Sequence, residues 1–393
     1  MPESRAMKFG VHVDVLKLGL VSLLTDLSSE MIFSVFAIFF TTIAGASAAL
    51  LGLVEGAADF SSSSLDYVAG WSSERTGKRK LFTLAGYGFS TLAKVILLLT
   101  TSISGLSAFR VIERVGKSFR GPPRDAWLSA VADNARRGYS FGVHKALDKS
   151  GAILGPLIAY GLIARLGDRA PTYRILFWIA LIPAVLSVVV LCFIKEQPGI
   201  PHRRDNMFNT LRALSPGFRR YLVAAGIFSL AYFSFGFLLL RAQSVGFAVK
   251  DIILLYALFN IAFVASAPLI GRLGDRWGRG RIILLGYLTY LSMSLGFAFA
   301  TTKLQVIVLF IIYGVFYSID EAQSKAFIAD IELERRASAI GVYNFLTGLI
   351  YVPASLAAGA LWLISPVIAF VVAACLALAA MVAFAILRPD LHR

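Results

Sequence analysis

The sequence contains little cysteine, histidine or charge. Its 393 residues include two cysteines and four histidines, and 16% of them are Asp, Glu, Lys or Arg. Two cysteines are too few for a disulfide-stabilised secreted domain. The scattered histidines and cysteines lack the spacing of a metal site, so no metal is expected. A phosphate-binding Gly-x-x-x-x-Gly-Lys-(Ser/Thr) loop is also missing, which argues against an ATP-driven protein.

Apolar residues dominate the remainder of the chain. Hydrophobic residues make up 58% of it and the mean hydropathy is +0.74, whereas a soluble domain is about 45–50% apolar. Lys and Arg (38) nevertheless outnumber Asp and Glu (23), for a net charge of +15. Such a chain either binds nucleic acid or crosses a membrane and has basic loops, and the positions of the charges decide between the two.

Twelve segments are long and apolar enough to span a bilayer as helices, which takes about 20 mostly apolar residues. They lie at 14–43, 47–70, 81–101, 104–131, 139–164, 173–194, 219–245, 249–270, 281–301, 304–329, 337–362 and 365–387. Helices 1, 4, 5 and 10 carry charges in mid-span. We include them because the helix count and the charges of the loops agree only if they span.

Basic residues are concentrated in every second loop between these segments. Arg75 and Lys78 follow helix 2, and Arg272 and Arg276 follow helix 8, whereas the alternate loops are short and carry few charges. The positive-inside rule places the basic loops and both termini in the cytoplasm. Because the charges form no single patch, nucleic acid is not an expected partner. The expected location is a plasma membrane, the inner membrane of a bacterium.

The longest polar stretch separates helices 6 and 7. It contains several prolines and basic residues, as expected of a linker. The predicted organisation is an N-terminal six-helix bundle at 1–195, a cytoplasmic linker at 196–218 and a C-terminal six-helix bundle at 219–393.

One loop motif occurs twice. It reads Gly70-Trp-Ser-Ser-Glu74-Arg75-Thr-Gly77 after helix 2 and Gly271-Arg-Leu-Gly-Asp275-Arg276-Trp-Gly278 after helix 8. The copies are 201 residues apart at every matching position, which indicates a duplicated bundle. On this motif the chain resembles the major facilitator superfamily over essentially its whole length. The resemblance implies an all-α integral membrane protein with twelve transmembrane helices in two pseudo-symmetric six-helix bundles.

The motif residues are predicted to form a cytoplasmic gate. The first glycine of each copy is expected to end its helix and to allow close packing. The acidic residue and the following Arg can pair with a helix end and with each other, and such pairs can break and re-form during transport. The predicted gate residues are Gly70, Glu74, Arg75, Gly77, Gly271, Asp275, Arg276 and Gly278.

Helix 5 carries Gly142, Gly151, Gly155 and Pro156. Their spacing resembles a motif of the antiporter, or exporter, branch of the superfamily. Glycines at such spacing let a neighbouring backbone approach closely, and a proline introduces a bend. These residues are therefore predicted to form a hinge, and the motif favours export. The alternative to this interpretation is that the small residues only allow helix 5 to pack against its neighbours.

Ionisable side chains within the spans are costly and usually mark a pathway. Helix 1 carries Asp26 and Glu30, which lie on one face because they are four residues apart. In helix 4, Leu106-x-x-x-Arg110-x-x-Glu113 resembles a family motif whose Arg is implicated in proton coupling. We expect Asp26 and Glu30 to face Arg110 or Arg114. Arg120, Arg124 and Asp125, nearer the cytoplasmic end, are expected to have structural or gating roles.

Helices 5 and 10 add the carboxylates Asp148 and Asp320. Asp148 is expected to face Lys117 or Arg114, and Asp320 is a candidate ligand in a half with few charges. This asymmetry suggests ion coupling in the first half and apolar substrate contacts in the second. Structural ion pairs between helices 1, 4 and 5 are the alternative. The predicted proton-coupling and substrate residues are Asp26, Glu30, Arg110, Glu113, Arg114, Lys117, Asp148 and Asp320.

Together these features predict a proton-coupled secondary transporter that moves a small organic substrate by alternating access, with export favoured. A surplus of cations in helices 4 and 5 points to an anionic substrate. A proton-coupled importer, or a carrier of a metal chelate or siderophore, is an alternative. A non-transporting membrane receptor or scaffold is an alternative of another class. The expected partners are the substrate, protons and lipid. The protein is predicted to be a monomer and not an enzyme, and to use the proton gradient as its energy source without a cofactor.

Overall fold

A computed structural model describes residues 7–8, 11–132, 137–196, 214–332 and 336–389. Two short strands, β1 (Met7–Lys8) and β2 (Val11–His12), pair antiparallel, and most of the other described residues are helical. Helices suit so apolar a chain because each satisfies its backbone polar groups internally, as a bilayer requires. They are α1 (Val13–Ile38), α2 (Ala48–Thr76), α3 (Arg79–Leu99), α4 (Ile103–Val131), α5 (Arg137–Leu166), α6 (Ala170–Cys192), α7 (Pro216–Ala231), α8 (Phe235–Ser244), α9 (Val249–Trp277), α10 (Arg279–Phe299), α11 (Lys303–Ile331), α12 (Arg336–Ile364) and α13 (Pro366–Leu387).

The predicted all-α fold with twelve spans is confirmed, since α7 and α8 share one predicted span. Ten of the spans are long and apolar enough to cross a membrane, and α2 and α4 are the exceptions. Charges lower the hydropathy of both. Those of α4 were expected from the sequence, whereas Glu55 and Asp59 in α2 were not part of the predicted set.

The boundaries of two predicted spans differ from the expected helices. Helix α1 continues into a π-helical turn, Phe39–Ile43. The seventh span is broken, because α7 ends at Ala231 and α8 begins at Phe235. The side chain of Ser234 caps the new start by accepting a hydrogen bond from the Gly236 amide at 3.1 Å. None of the three residues between the helices, Tyr232, Phe233 and Ser234, is a proline or a glycine, and Gly236 is already the second residue of α8.

Glycines in the left-handed region end α2 and α9. Gly77 has φ 69° and Gly278 has φ 88°, values that only glycine adopts without strain. Their amides donate to Ser73 O and Gly274 O of the last helical turns, as in other glycine C-caps. Gly70 and Gly271 lie inside α2 and α9, so the expectation that they end these helices is wrong. Both helices continue until a residue with positive φ stops them.

The chain divides into two compact units. The first comprises the described residues of Met1–Phe39 and Leu65–Arg204, and the second those of Phe40–Ser64 and Asp205–Arg393. The first half of α2 thus groups with the second unit. Most of the predicted linker, residues 197–213, lies outside the described residues.

Helix pairing repeats between the units. In the first, α1 packs against α5 and α6, and α3 packs against α4. In the second, α7 packs against α12 and α13, and α10 packs against α11. Because α7 and α8 together form the seventh span, α7 corresponds to α1, α12 to α5, α13 to α6, and α10 and α11 to α3 and α4. The same helix pairs therefore occur in each half, which agrees with a duplicated bundle.

Helices α3 and α4 touch through their backbones. A Cβ atom on Gly116 would lie 2.7 Å from the carbonyl oxygen of Gly86, and one on Gly86 would lie 2.6 Å from that of Gly116. Gly121, also on α4, has open space around its Cα. The close approach matters for the candidate site because α4 carries most of its cations.

We therefore expect Gly116→Ala to destabilise the protein and Gly121→Ala not to do so. Alanine favours a helix over glycine at both positions, but at Gly116 its methyl group meets the backbone of α3, at a cost of about 1–3 kcal/mol. Thermal unfolding of the purified protein in detergent should show a lower Tm for the first variant only. Equal Tm values for the two variants would contradict the close packing.

Candidate functional site

Side chains from α1, α3, α4 and α5 form a polar cluster inside the first unit. Lys94, Arg110, Glu113 and Arg120 are each 5% exposed or less. Buried charges require partners, because an isolated charge in a low-dielectric interior is very unfavourable. The partners in this cluster therefore decide what it can do.

Asp26 of α1 pairs with Arg120 of α4. One guanidinium nitrogen of Arg120 lies 3.8 Å from Asp26 Oδ1, and another donates to Ser90 Oγ of α3 at 2.7 Å. The guanidinium also lies over the ring of Tyr87, 5.1 Å from its centre. The Asp26 side chain is 20% exposed and that of Arg120 is 5% exposed. Arg120 is thus held by α3 as well as by Asp26, and Asp26 is the more accessible partner.

Ser22, one helical turn before Asp26, joins a second group of residues. Its hydroxyl lies 3.1 Å from His144 Nε2 of α5 and 3.2 Å from the hydroxyl of Tyr87, and it accepts a hydrogen bond from Arg124 at 3.0 Å. Arg124 also lies 3.7 Å from the Asp148 carboxylate. This group connects α1, α3, α4 and α5 through a single serine hydroxyl.

A third group surrounds Glu113 of α4. Ser29 of α1 donates to its carboxylate at 3.3 Å, and Lys94 of α3 donates to the same Ser29 hydroxyl at 3.0 Å. Arg110 lies 3.8 Å from the other oxygen of Glu113 and 4.2 Å from the centre of the Phe33 ring. A cation over an aromatic face is attracted to its π-electrons. Each charge in this group therefore has a polar or aromatic neighbour.

Asp26 and Asp148 pair with other cations than those predicted from the sequence. Asp26 contacts Arg120 instead of Arg110 or Arg114, and Asp148 contacts Arg124 instead of Lys117 or Arg114. The observed ends of the helices explain this. At about 1.5 Å per residue, Asp26 lies about 20 Å from the start of α1, and Arg120 lies about 17 Å from the end of the antiparallel α4. Arg110 lies about 32 Å from that end.

The other predicted coupling residues are Glu30, Arg114, Lys117 and Asp320, and they differ in burial and in the unit to which they belong. Glu30 and Arg114 are half-buried and Lys117 is exposed. The guanidinium of Arg114 lies 5.9 Å from the centre of the Phe33 ring. Asp320 is half-buried on α11 of the second unit, one helical turn after Phe316, whose ring lies 4.8 Å from that of Tyr290.

The predicted gate residues lie at the ends of α2 and α9. Arg75 lies over the ring of Trp71 at 5.1 Å, and Asp275 pairs at 3.5 Å with Arg279, the first residue of α10. Arg279 also lies 3.2 Å from Asp330 of α11. The contact of Asp275 is thus with the next helix and not with the adjacent Arg276. The side chain of Glu74 lies outside the described part of the chain.

Two of the predicted hinge glycines lie against α1. A Cβ atom on Gly155 would lie 2.7 Å from the carbonyl oxygen of Leu27, and one on Gly151 would meet the carbonyl oxygen of Leu23. Gly142 has open space around it, and Pro156 lies within the continuous helix α5. Gly151 and Gly155 therefore hold α5 close to the turns of α1 that carry Asp26 and Glu30.

Several functional candidates were absent from the predicted set. Lys94 is 1% exposed and contacts Ser29, and its signal was a single lysine in the apolar run of helix 3. Arg120 and Arg124 were expected near the cytoplasmic end, and their partners show that they reach deeper. Ser22 and Ser29 gave no signal, because serine is common in transmembrane helices.

The cluster is suited to binding and releasing a proton. Protonation of a carboxylate removes the charge that its cation requires, so it changes which contacts are favourable. Asp26 is the best placed of these carboxylates, because it is partly accessible and its partner Arg120 has further contacts on α3. Among the described residues, no three His, Cys, Asp or Glu side chains come together as a metal site would need.

Comparison with known proteins gives matches over most of the chain. The sequence model of the Major Facilitator Superfamily matches residues 18–241 and 221–393. An uncharacterised MFS-type transporter of Methanocaldococcus jannaschii is 34% identical over 372 residues, or 93% of this chain and 92% of its own length. Multidrug resistance protein 1 of Bacillus subtilis is 26% identical over 263 residues, or 64% of each chain.

The solved structures agree on the fold. A crystal structure of a mutant nucleoside transporter matches with a TM-score of 0.79 and 12% identity, and the match covers 95% of this chain and 99% of that chain. A transporter of the POT family in complex with 5-aminolevulinic acid also gives a TM-score of 0.79, with 13% identity and 99% of each chain covered. At such low identity the likeness concerns the fold alone.

We expect Arg120→Gln to destabilise the protein by about 2–5 kcal/mol, because it leaves the carboxylate of Asp26 without its cation. Lys17→Gln is the control. It removes an ion pair with Asp14 at 3.3 Å in which the lysine side chain is 46% exposed, and exposed pairs contribute about 1 kcal/mol or less. The double variant Arg120→Gln with Asp26→Asn should recover much of the loss.

Unfolding of the three variants in detergent, followed by circular dichroism, measures these differences. An Arg120→Gln variant as stable as Lys17→Gln would show that the pair does not hold α1 to α4. A double variant less stable than Arg120→Gln would show the same.

Proposed function

Because the chain belongs to the major facilitator superfamily, we propose that it is a proton-coupled transporter that exports a small organic substrate by alternating access. Membership makes the chain a multi-pass membrane transporter and not an enzyme. The coupling ion, the direction and the substrate form the proposal.

The observation that carries proton coupling is the contact between Asp26 and Arg120. Carboxylates inside membrane spans are rare, and they mark ion or substrate pathways in many transporters. This carboxylate connects α1 and α4 through one cation at 3.8 Å, and it keeps 20% of its side chain exposed. The exposed part of the Asp26 side chain is where a proton would bind to a residue that contributes to the contact between these two helices.

The proposed coupling step is the protonation of Asp26. In the charged form, Asp26 attracts Arg120 and the pair connects α1 and α4. In the protonated form this attraction is lost, and Arg120 keeps its hydrogen bond to Ser90 and its position over Tyr87. Protonation therefore weakens one of the contacts between α1 and α4 without leaving the guanidinium of Arg120 unsatisfied. A conformational equilibrium that depends on this contact responds to pH.

Two observations favour export. Gly151 and Gly155 of the exporter-like motif lie against the turns of α1 that carry Asp26. The Bacillus subtilis relative is named a multidrug resistance protein, and removal of a compound from the cell produces resistance. Inward movement of protons down their gradient supplies the free energy for outward movement of a substrate in such an exchange.

The other features of the proposal follow from the sequence. We propose that the proton gradient is the energy source, without a cofactor, and that the protein is a monomer in a plasma membrane. The concentration of basic residues in alternate loops supports an orientation with both termini in the cytoplasm. An anionic substrate was predicted from the surplus of cations. In the first unit Arg120 and Arg124 lie beside carboxylates, which leaves that prediction with less support than the coupling.

We expect Asp26→Asn to lose proton-coupled transport. Proteoliposomes that contain the full chain and the pH indicator pyranine are given a pH gradient and then tetraphenylphosphonium, salicylate or chloramphenicol. The wild type should move protons upon addition of at least one compound, and Asp26→Asn should do so about ten-fold less because its amide cannot bind the proton. Asp251→Asn, at the start of α9, is the matched control and should behave as the wild type does.

Proton movement that is equal in Asp26→Asn and the wild type would contradict the role of Asp26. A wild type that moves no protons with any compound would contradict the coupling itself. Accumulation of a compound in cells that rises with expression of the protein would reverse the proposed direction.

A further inference from the structure

One serine hydroxyl of α1 connects three other helices of the first unit. The hydroxyl of Ser22 accepts a hydrogen bond from Arg124 of α4 at 3.0 Å. It also lies 3.2 Å from the hydroxyl of Tyr87 on α3 and 3.1 Å from Nε2 of His144 on α5. Ser22, Tyr87 and His144 are each 3% exposed or less. The proposed coupling step at Asp26 does not involve this group.

The number of hydrogens on the Ser22 hydroxyl restricts how this group can be arranged. A serine hydroxyl donates one hydrogen bond and accepts two. An arginine can only donate, so Arg124 occupies one of the two acceptor positions. One acceptor position and one hydrogen remain for Tyr87 and His144. One of these two residues must therefore donate to Ser22, and the other must accept from it.

The surroundings of Tyr87 decide the direction of these hydrogen bonds. Among the described residues, the one acceptor within hydrogen-bond distance of its hydroxyl is Ser22. When Tyr87 donates to Ser22 and Ser22 donates to Nε2 of His144, each hydrogen between these side chains has an acceptor. In the reverse direction the hydrogen of Tyr87 has none, and a buried donor without an acceptor is unfavourable. The contacts therefore favour a neutral His144 with its hydrogen on Nδ1.

Several cations lie close to His144. Arg124 lies 3.7 Å from the carboxylate of Asp148, which is one helical turn after His144 on α5. Lys145 lies 3.7 Å from the same carboxylate, and Lys149 is the next residue of the helix. A proton on His144 would therefore add a positive charge to a group in which the nearest carboxylate already has cations as partners.

The other ionisable groups are less directly placed. Asp125 contacts Arg124 at 3.0 Å and its side chain is 53% exposed. Asp26, one turn after Ser22 on α1, has a cation of its own. Helix α6 and strand β2 also pack against α5, but no residue described in them forms a hydrogen bond or an ion pair with His144. Arg124 is thus the cation that shares a hydrogen-bond partner with the His144 ring.

From this arrangement we infer that His144 is a second proton-binding residue of the first unit, and that its proton competes with Arg124 for the hydroxyl of Ser22. A second ring proton is added at Nε2, which then has to donate to Ser22. With Arg124 in place, Ser22 must turn its own hydrogen to Tyr87, whose hydrogen loses its acceptor. Once Arg124 leaves, Ser22 accepts from both His144 and Tyr87, and its hydrogen can turn to a carbonyl of the preceding helical turn.

Proton binding at His144 is thereby linked to the contact that Arg124 makes between α4 and α1. A conformation without this contact binds the proton more tightly, and by the same free energy the proton favours that conformation. His144 lies about 10 Å from the start of α5 at 1.5 Å per residue, near the end of the helix that we propose to be cytoplasmic. The inference goes beyond the proposed function, because it adds a proton site that does not depend on Asp26.

The test is the protonation state of the His144 ring, measured by solid-state nitrogen NMR on the full chain in liposomes with isotope-labelled histidine. The chain has four histidines, so His12→Gln, His202→Gln and His392→Gln together leave His144 as the source of the signal. At about pH 8 we expect a protonated Nδ1 and an unprotonated Nε2. Ser22→Ala should lose this preference and show both tautomers, because it removes the hydrogen that Nε2 accepts.

A pair of variants in this background tests the competition with Arg124. At about pH 6, Arg124→Gln should raise the fraction of His144 that carries two protons about three-fold or more, because it removes the cation that shares Ser22. Lys145→Gln is the matched control, since Lys145 lies the same 3.7 Å from Asp148 but is 54% exposed. It should change the fraction by less than about 1.5-fold. Elution volume and thermal unfolding verify that each variant is folded.

A neutral His144 with its hydrogen on Nε2 would overturn the inference, as would equal fractions in Arg124→Gln and Lys145→Gln or a ring that stays neutral in every variant down to about pH 5. The measurement involves no transport, so its result is independent of the coupling at Asp26. The expected signals in a protein that moves no protons with any compound would retain this site and reject the proposed coupling, and proton movement without these signals would do the reverse.

Discussion

The cost of a charge inside a membrane protein is the constraint on which this structure depends. An unpaired charge among apolar side chains is unfavourable by several kcal/mol, and α4 alone carries Arg110, Glu113 and Arg120 within its span. The first unit satisfies these charges by bringing α1, α3 and α5 against α4. The polar contacts therefore do two things at once, since they hold four helices together and concentrate the ionisable groups. Gly86 and Gly116 allow α3 and α4 to approach each other closely.

Much of the fold could be predicted from the sequence, because the signals for it are local. Apolar runs of sufficient length predicted the spans, and the duplicated motif predicted two similar halves, whose repeated helix pairs are observed. The motif located the ends of α2 and α9 only approximately, because Gly77 and Gly278 have positive φ and stop the helices, whereas the prediction assigned this role to Gly70 and Gly271. The spans and the repeat are predictable because composition and spacing alone carry their signals.

Features that depend on tertiary packing were not predictable in the same way. The partner of Asp26 follows from the relative depth of two antiparallel helices, and an error of a few residues at one end of α4 changes which Arg it meets. The break in the seventh span falls at Tyr232, Phe233 and Ser234, none of which is a proline or a glycine. Ser22 contacts residues on three other helices, and sequence alone does not indicate such contacts. Lys94 is the exception, because a lone lysine in an apolar span was a visible signal.

The two units share a backbone framework but differ in what it encloses. The helix pairs and the glycine turns occur in both halves, because the packing of each bundle depends on them. The shared backbone does not determine the side chains inside each bundle. The first unit holds paired charges, whereas the second holds a group of aromatic rings that includes Tyr232, Tyr290 and Tyr351. A carboxylate can exchange a proton at low cost when its cation has other contacts. Arg120 has such contacts, because it keeps Ser90 and Tyr87 when Asp26 is neutral. The asymmetry in charge is therefore a difference in side chains within a shared arrangement of helix pairs, and it is confined to positions that the pairing of the helices does not determine.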